Sequence, residues 1–254
     1  MLFVKSIVYV LLMAMSTAAW SQTFGDVTPY RPSVSNPAQL SRPGQLELEL
    51  GGLHKKVSSD REGSLPYLFK LGFTKEWGVL LGGDAHIRTR DEVGNRENGV
   101  GDTTVTLKRA FLIRDETAFG LEVGAKLPTA KDAIGVGKVE YTLNGIYSQD
   151  FGPIHMDTNI NATRIGQVDP GVARTQKGLS VALSTELSSD WSSTAEVSGM
   201  RRRGTPTESQ FLAAVVYSPN KRYAIDIGLT KGVNRASNNW SVFSGFVVPI
   251  ANLW

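Results

Sequence analysis

The chain has 254 residues, with 27 Lys and Arg against 24 Asp and Glu, and it contains no cysteine. The slight and dispersed basic excess excludes a nucleic-acid partner, and the lack of thiols excludes both disulfide stapling and a lipid-modified cysteine anchor. No stretch beyond the first 21 residues approaches 18 consecutive apolar residues, so spanning a membrane with helices is excluded too.

Residues 1–21 read as a secretory signal peptide. Lys5 supplies the positive region, Ile7 to Met15 the apolar core, and Ala19-Trp20-Ser21 a small-x-small cleavage site. Residues 22–44 are a separate, Pro-rich arm. Pro29, Pro32, Pro37 and Pro43 block regular helix and central strand. Composition makes this arm extended and places it in the periplasm or in a barrel mouth, either as a disordered linker or as a plug.

Residues 45–254 are expected to form one barrel domain. Twelve strand candidates lie near Gln45–Leu53, Ser64–Phe73, Trp77–Arg88, Asp102–Ile113, Thr117–Leu127, Lys138–Gln149, Pro153–Thr163, Gly178–Leu187, Trp191–Arg201, Ser209–Tyr217, Tyr223–Lys231 and Trp240–Ile250. Tight turns such as Thr74-Lys75-Glu76 and Phe151-Gly152 alternate with longer Gly- and charge-rich links such as Thr89–Gly101 and Arg164–Lys177. Short periplasmic turns and long external loops are the pattern of an outer-membrane barrel. Each strand carries one apolar and one polar stripe: Phe119, Leu121, Val123 and Ala125 oppose Ala118, Gly120, Glu122 and Gly124.

Period alone leaves open which stripe points inward, because a soluble lipocalin-like barrel would bury the apolar one. Three features favour the membrane barrel. Trp77, Phe151, Trp191, Tyr217 and Tyr223 sit at strand ends beside the short turns, where an interfacial girdle belongs. The polar stripes are rich in Gly, Ser, Thr and Asn, as a crowded lumen requires. The last strand alternates Phe246, Val248 and Ile250 and closes on Trp254, which resembles the signal read by the outer-membrane barrel-assembly machinery, although Pro249 and Asn252 depart from it.

By alternation the lumen-facing charged residues are Glu47, Glu49, Lys70, Asp84, His86, Arg88, Lys108, Glu122, Lys126, Glu140, His155, Asp157, Glu186, Glu196 and Asp226. Acids are in excess, which favours cations or neutral molecules. These residues form either a charge-selective constriction or a salt-bridge network filling a closed barrel. Arg109 falls on the lipid face by alternation. A bulge between Lys108 and Phe111 is the expected remedy, with snorkelling at an interface as the alternative. His54, His86 and His155 stand in no nucleophile motif, and neither a catalytic residue, a metal site nor a cofactor is assigned. Asp91, Glu92, Arg96, Glu97 and Asn98 make a charged external loop and Arg201-Arg202-Arg203 a basic cluster; such groups pair with lipopolysaccharide phosphates or are simply solvated.

Gly99-Val100-Gly101-Asp102 opening a strand, Lys108-Arg109 within it, and then Gly124-Ala125-Lys126-Leu127-Pro128-Thr129 form a pattern similar to that of the outer-membrane family "meta-pathway of phenol degradation". Thr28-Pro29-Tyr30-Arg31-Pro32-Ser33 and the strand from Gly44 to Gly52 resemble a subgroup of it. The resemblance implies an outer-membrane transporter barrel tied to uptake of small compounds, aromatic ones among them, and carries no catalytic residues with it.

The expectation is therefore an all-β, transmembrane, up-and-down antiparallel β-barrel of about twelve strands in the outer membrane of a Gram-negative cell. Its partners are outer-membrane lipid and lipopolysaccharide, the assembly machinery and small solutes. The leading function is passive passage of small molecules, aromatic or otherwise hydrophobic ones included. A closed structural or envelope-interaction barrel is the second reading and an outer-membrane enzyme the third.

Overall fold

A computed structural model describes residues 24–57, 60–237 and 239–254. The expected leader lies outside the described residues. Thirteen strands follow the arm: β1 (Gln45–Val57), β2 (Asp60–Gly72), β3 (Trp77–Arg90), β4 (Arg96–Gly99), β5 (Thr103–Arg114), β6 (Thr117–Leu127), β7 (Glu140–Phe151), β8 (Ile154–Arg164), β9 (Thr175–Glu186), β10 (Trp191–Arg202), β11 (Glu208–Tyr217), β12 (Ala224–Gly232) and β13 (Trp240–Asn252).

Twelve of them close a barrel in which each strand pairs antiparallel with its neighbours in sequence, β3 meeting β5 and β13 returning to β1. The closing seam runs from Gln45↔Asn252 to Lys56↔Trp240. The remaining strand, β4, lies inside the link expected at Thr89–Gly101. It pairs only with Ile87–Arg90 and extends the β3 hairpin beyond the barrel. Closure leaves no sheet edge, so the backbone donors and acceptors of the wall are satisfied within the sheet, as a bilayer demands. At the tight turn between β7 and β8, Gly152 adopts a φ of 61°, a conformation that glycine takes without steric cost.

The two stripes of each strand resolve the choice that period alone leaves open. Leu107, Leu121, Val123, Leu143, Ile160, Leu179, Val197 and Ile227 face outward and are 41–65% exposed, whereas Glu47, Lys70, Lys108, Glu122, Glu196 and Asp226 face inward and are at most 5% exposed. A barrel that is apolar outside and charged inside has the polarity of a transmembrane barrel and is the inverse of a soluble one. Trp77, Phe151, Trp191 and Tyr217 look outward beside the short turns, and the Trp191 and Tyr217 rings pack 4.9 Å apart.

Arg109 corrects one expectation. The pairing of β5 with β6 is continuous from Thr103↔Leu127 to Leu112↔Ala118, and the register shift comes later, between Leu112 and Arg114. Arg109 therefore does face lipid. It pairs with Trp77 at the short-turn end of β3, where its guanidinium lies 5.1 Å from the Trp77 ring and 4.5 Å from the Phe111 ring, and 3.8 Å from Glu76. An interfacial aromatic cradle and an acidic neighbour take the place of a bulge.

Depth thus decides the cost of a charge on this face. Arg109→Ala is expected to cost about 1 kcal/mol or less, the worth of an exposed cation–π contact. Val123→Arg, at mid-strand, is expected to cost about 2–4 kcal/mol. Reversible denaturation in lipid measures both.

Candidate functional site

The Pro-rich arm runs through the lumen. Its prolines prevent it from adding a strand to the sheet, so its backbone N–H groups have no ladder to join and must find partners on the wall. The inward carboxylates supply them. Glu47 accepts from the Thr28 amide at 3.2 Å, and Glu49 from those of Tyr30 at 2.8 Å and Arg31 at 3.2 Å. One Glu196 oxygen accepts from both Val34 and Ser35 at 2.8 Å. Neutral groups continue the series, since Gln45 accepts from Gly25, Asn159 from Asn36 and Ser148 from Ala38.

Arm carbonyls are matched to wall cations. Lys70 donates to the Thr28 carbonyl and Lys108 to that of Pro37. The same lysines are held by carboxylates, Lys70 by Glu47 at 3.0 Å and by Glu49, and Lys108 by Glu122 at 3.0 Å. The Tyr30 ring sits close to both ammonium groups, 4.6 Å from Lys70 and 4.2 Å from Lys108, and its hydroxyl donates to the Gln39 carbonyl. Buried charge is tolerable here because each lysine has an anion, a carbonyl and an aromatic ring within reach.

Two side chains of the arm fix its register. Arg31 donates through Nε and one terminal nitrogen to both oxygens of Asp226, each at 2.8 Å. Asn36 donates to Glu122 and is flanked by Asn144 and Asn159, which also bond each other at 2.8 Å. Ser35 and Ser180 meet hydroxyl to hydroxyl at 2.8 Å. Apolar burial is concentrated in Tyr30, 4% exposed; beyond it Ala38 packs on Ala118 and Ile146, and Val27 lies against Val216, Ala224 and Val247.

The charged residues singled out by alternation therefore divide into groups. Glu47, Glu49, Lys70, Lys108, Glu122, Glu196 and Asp226 hold the arm directly. Asp157 acts one step removed: it bonds Ser148, which holds Ala38, and lies 3.2 Å from His155, whose other ring nitrogen meets Asp150. Lys126 and Glu140 face each other at 3.8 Å away from the arm, and Glu186 is exposed at the short-turn mouth beside Asp26 and Val27. Asp84, opposite Pro66, is half-buried on the lumen side.

His86 and Arg88 lie elsewhere. The register between β2 and β3 shifts between Ser64 and Pro66, so the lumen residue Ser64 pairs with Ile87, and His86 and Arg88 turn to the outer surface. Pro66 has no N–H to give the ladder, which is the physical reason for the slip. The neutral partners Gln45, Asn144, Ser148, Asn159 and Ser180 escape a reading limited to charges. Their signal is that they share the lumen parity of the charged residues on their own strands.

Several spaces border the arm. One of about 390 Å³ lies between Thr28, Arg31 and Pro37 and the wall at His155, Ser184 and Thr194. Another, about 240 Å³, lies where Val34 meets Ser180, Ser198 and Gln210. Among the described residues no cluster of three or more His, Asp or Glu is arranged to hold a metal ion.

The sequence profile described as "Putative MetA-pathway of phenol degradation" matches residues 31–249, which takes in the arm from Arg31 onward and nearly all of the barrel. No curated protein matches the chain in sequence. Among solved structures it is similar to an outer-membrane channel from Pseudomonas putida F1, with a TM-score of 0.66 and 14% identity over 87% of this chain and 100% of that one. It is similar also to the NanC porin (TM-score 0.57, 8% identity, 78% of this chain and 98% of that one) and the KdgM porin (0.53, 7%, 80% and 98%). At these identities the likeness is one of fold.

The carboxylate contacts predict a local effect of mutation. Glu196→Ala should raise the hydrogen-exchange rates of the Val34 and Ser35 amides by about 10–100-fold, corresponding to loss of a charge-assisted bond of about 1.5–3 kcal/mol. Strand amides of β10 should keep their protection.

Proposed function

The chain belongs to the family "Putative MetA-pathway of phenol degradation", and from that premise we propose that it is an outer-membrane channel for small molecules, closed by its own arm. The observation that carries the reading is the way the arm is held. Its backbone amides rest on carboxylates that water can also solvate, and Tyr30 is the one large apolar side chain among the arm's described residues that is buried with them. Hydrogen bonds of this kind exchange for bonds to water at a net cost of about 1.5–3 kcal/mol each, less than the same groups would cost left buried and unsatisfied. A lumen filled by an apolar plug would have no such alternative. The outward apolar wall and the likeness in fold to outer-membrane channels support placement in the outer membrane.

The wall that the arm leaves behind carries more acids than bases, which supports selection of cations and neutral solutes. Tyr30 supports the aromatic part of the proposal. Its phenol ring lies 4.6 Å from Lys70 and 4.2 Å from Lys108, a setting that a solute ring of similar size would share. Solutes with such a ring compete with Tyr30 for the same cations. A permanently closed barrel is the second reading, and the occupied lumen is the observation that favours it.

Planar-bilayer recording separates the two. The arm-bearing protein should be mostly silent with brief openings, and a variant lacking residues 24–38 should conduct steadily with a cation-selective reversal potential. Silence from that variant, folded by heat-modifiable mobility, would establish the closed barrel. In the open variant tyramine should block current at a several-fold lower concentration than ethanolamine, which lacks the ring.

A further inference from the structure

The outer rim of β1–β4 carries a feature that passage through the lumen does not use. Register places Lys56 opposite Arg61, Arg61 opposite Arg90 and Arg90 opposite Arg96, with Arg88 beside them opposite Gly63. Directly opposed residues share a face, and these share the face of His54, the one that looks away from the lumen. The opposite face of the same strands holds their acids: Glu62 pairs with Lys55 at 2.9 Å and Glu97 with Lys131 at 2.7 Å. No acidic residue stands on the outward face of these paired positions. Like charges directly opposed across strands destabilise a sheet, and an anion seated on this row of four relieves that repulsion.

Below this row, toward the membrane, lies a groove of about 620 Å³ bordered by Gly52, Gly63, Leu65, Ile227 and Val242, with His54, His86 and Arg88 at its edge. Leu65, Ile227 and Val242 are exposed and look into lipid. A Cβ on Gly52 would meet nothing within 4 Å, so packing does not require glycine there; what the missing side chain does is keep the hollow open. Trp240 packs on His54 with ring centroids 5.6 Å apart, marking the outer interface.

We propose that this rim and groove bind one molecule of lipid A, the phosphorylated glycolipid anchor of lipopolysaccharide, with its phosphates on Arg61, Arg90 and Arg96 and an acyl chain in the groove. The site rests on the outer-membrane placement proposed above. Its ligand is specified by charge complementarity at the level of the outer-leaflet headgroups and by an apolar slot directly beneath. The basic cluster at Arg201–Arg203, far around the barrel, has no part in it.

Native mass spectrometry of the refolded, arm-bearing protein in neutral detergent tests this with bisphosphoryl lipid A, its dephosphorylated form and phosphatidylglycerol. One bisphosphoryl lipid A should bind at least tenfold tighter than either other lipid. The triple variant Arg61→Gln, Arg90→Gln, Arg96→Gln should lose that preference, Gly52→Val should weaken binding without touching a charge, and Arg201→Gln should bind as the unaltered protein does. Equal binding of all three lipids, or a triple variant that retains the preference, would overturn the site. Heat-modifiable mobility of the same samples reports barrel folding separately: its absence would overturn the membrane reading, and its presence with no lipid preference would overturn this inference alone.

Discussion

Everything in this molecule follows from the need to satisfy polar groups where water is scarce. A sheet in hydrocarbon must have no edge, and the β1–β13 seam removes it. Closing twelve strands, however, encloses a narrow space lined by the polar stripe of every strand, and charges in such a space are costly unless paired. The arm meets that cost from the other side. Its prolines leave it with amides and carbonyls that no ladder can satisfy, and the wall offers carboxylates and lysines at matching positions, so that each half pairs most of the other's polar groups, with Ser41 Oγ, Asn144 Oδ1 and Glu196 Oε1 left without a hydrogen-bond partner among the described residues.

The barrel and the arm are consequently held by different forces. Ladder hydrogen bonds and an apolar exterior fix the wall, and none of those contacts involves the arm's central residues. The arm is held by charge-assisted bonds to Glu47, Glu49, Glu196 and Asp226 and by one aromatic ring near two cations. That separation of forces is what the proposed gating requires: an arm that can leave the lumen without unfolding the wall.

Much of this was legible in the residue pattern. A period of two survives folding unchanged, so the twelve barrel strands and most of the inward charges could be read directly. The strict alternation of short and long links does not hold, because β1 and β2 extend through most of the link expected at His54–Gly63. The arm's location could not, because an extended Pro-rich segment has no periodicity and its backbone contacts are independent of side-chain identity. Strict alternation failed at His86 and Arg88, where Pro66 forces a slip in pairing. At Arg109 alternation held and the remedy expected for it did not, since an interfacial Trp77, supplied by the neighbouring strand, made a bulge unnecessary. Strand β4 was hidden because Arg96–Gly99 is too short and polar to announce a strand outside the membrane.

The most direct measurement uses the absence of cysteine from the chain. Ser35 on the arm and Ser180 on β9 touch through their hydroxyls, and Ser35→Cys with Ser180→Cys places two thiols where a disulfide closes across the lumen. Conductance of this double variant should be absent when oxidised and should show openings on addition of reductant. Equal conductance in the two states, with the disulfide verified by mass, would contradict an arm that gates the barrel.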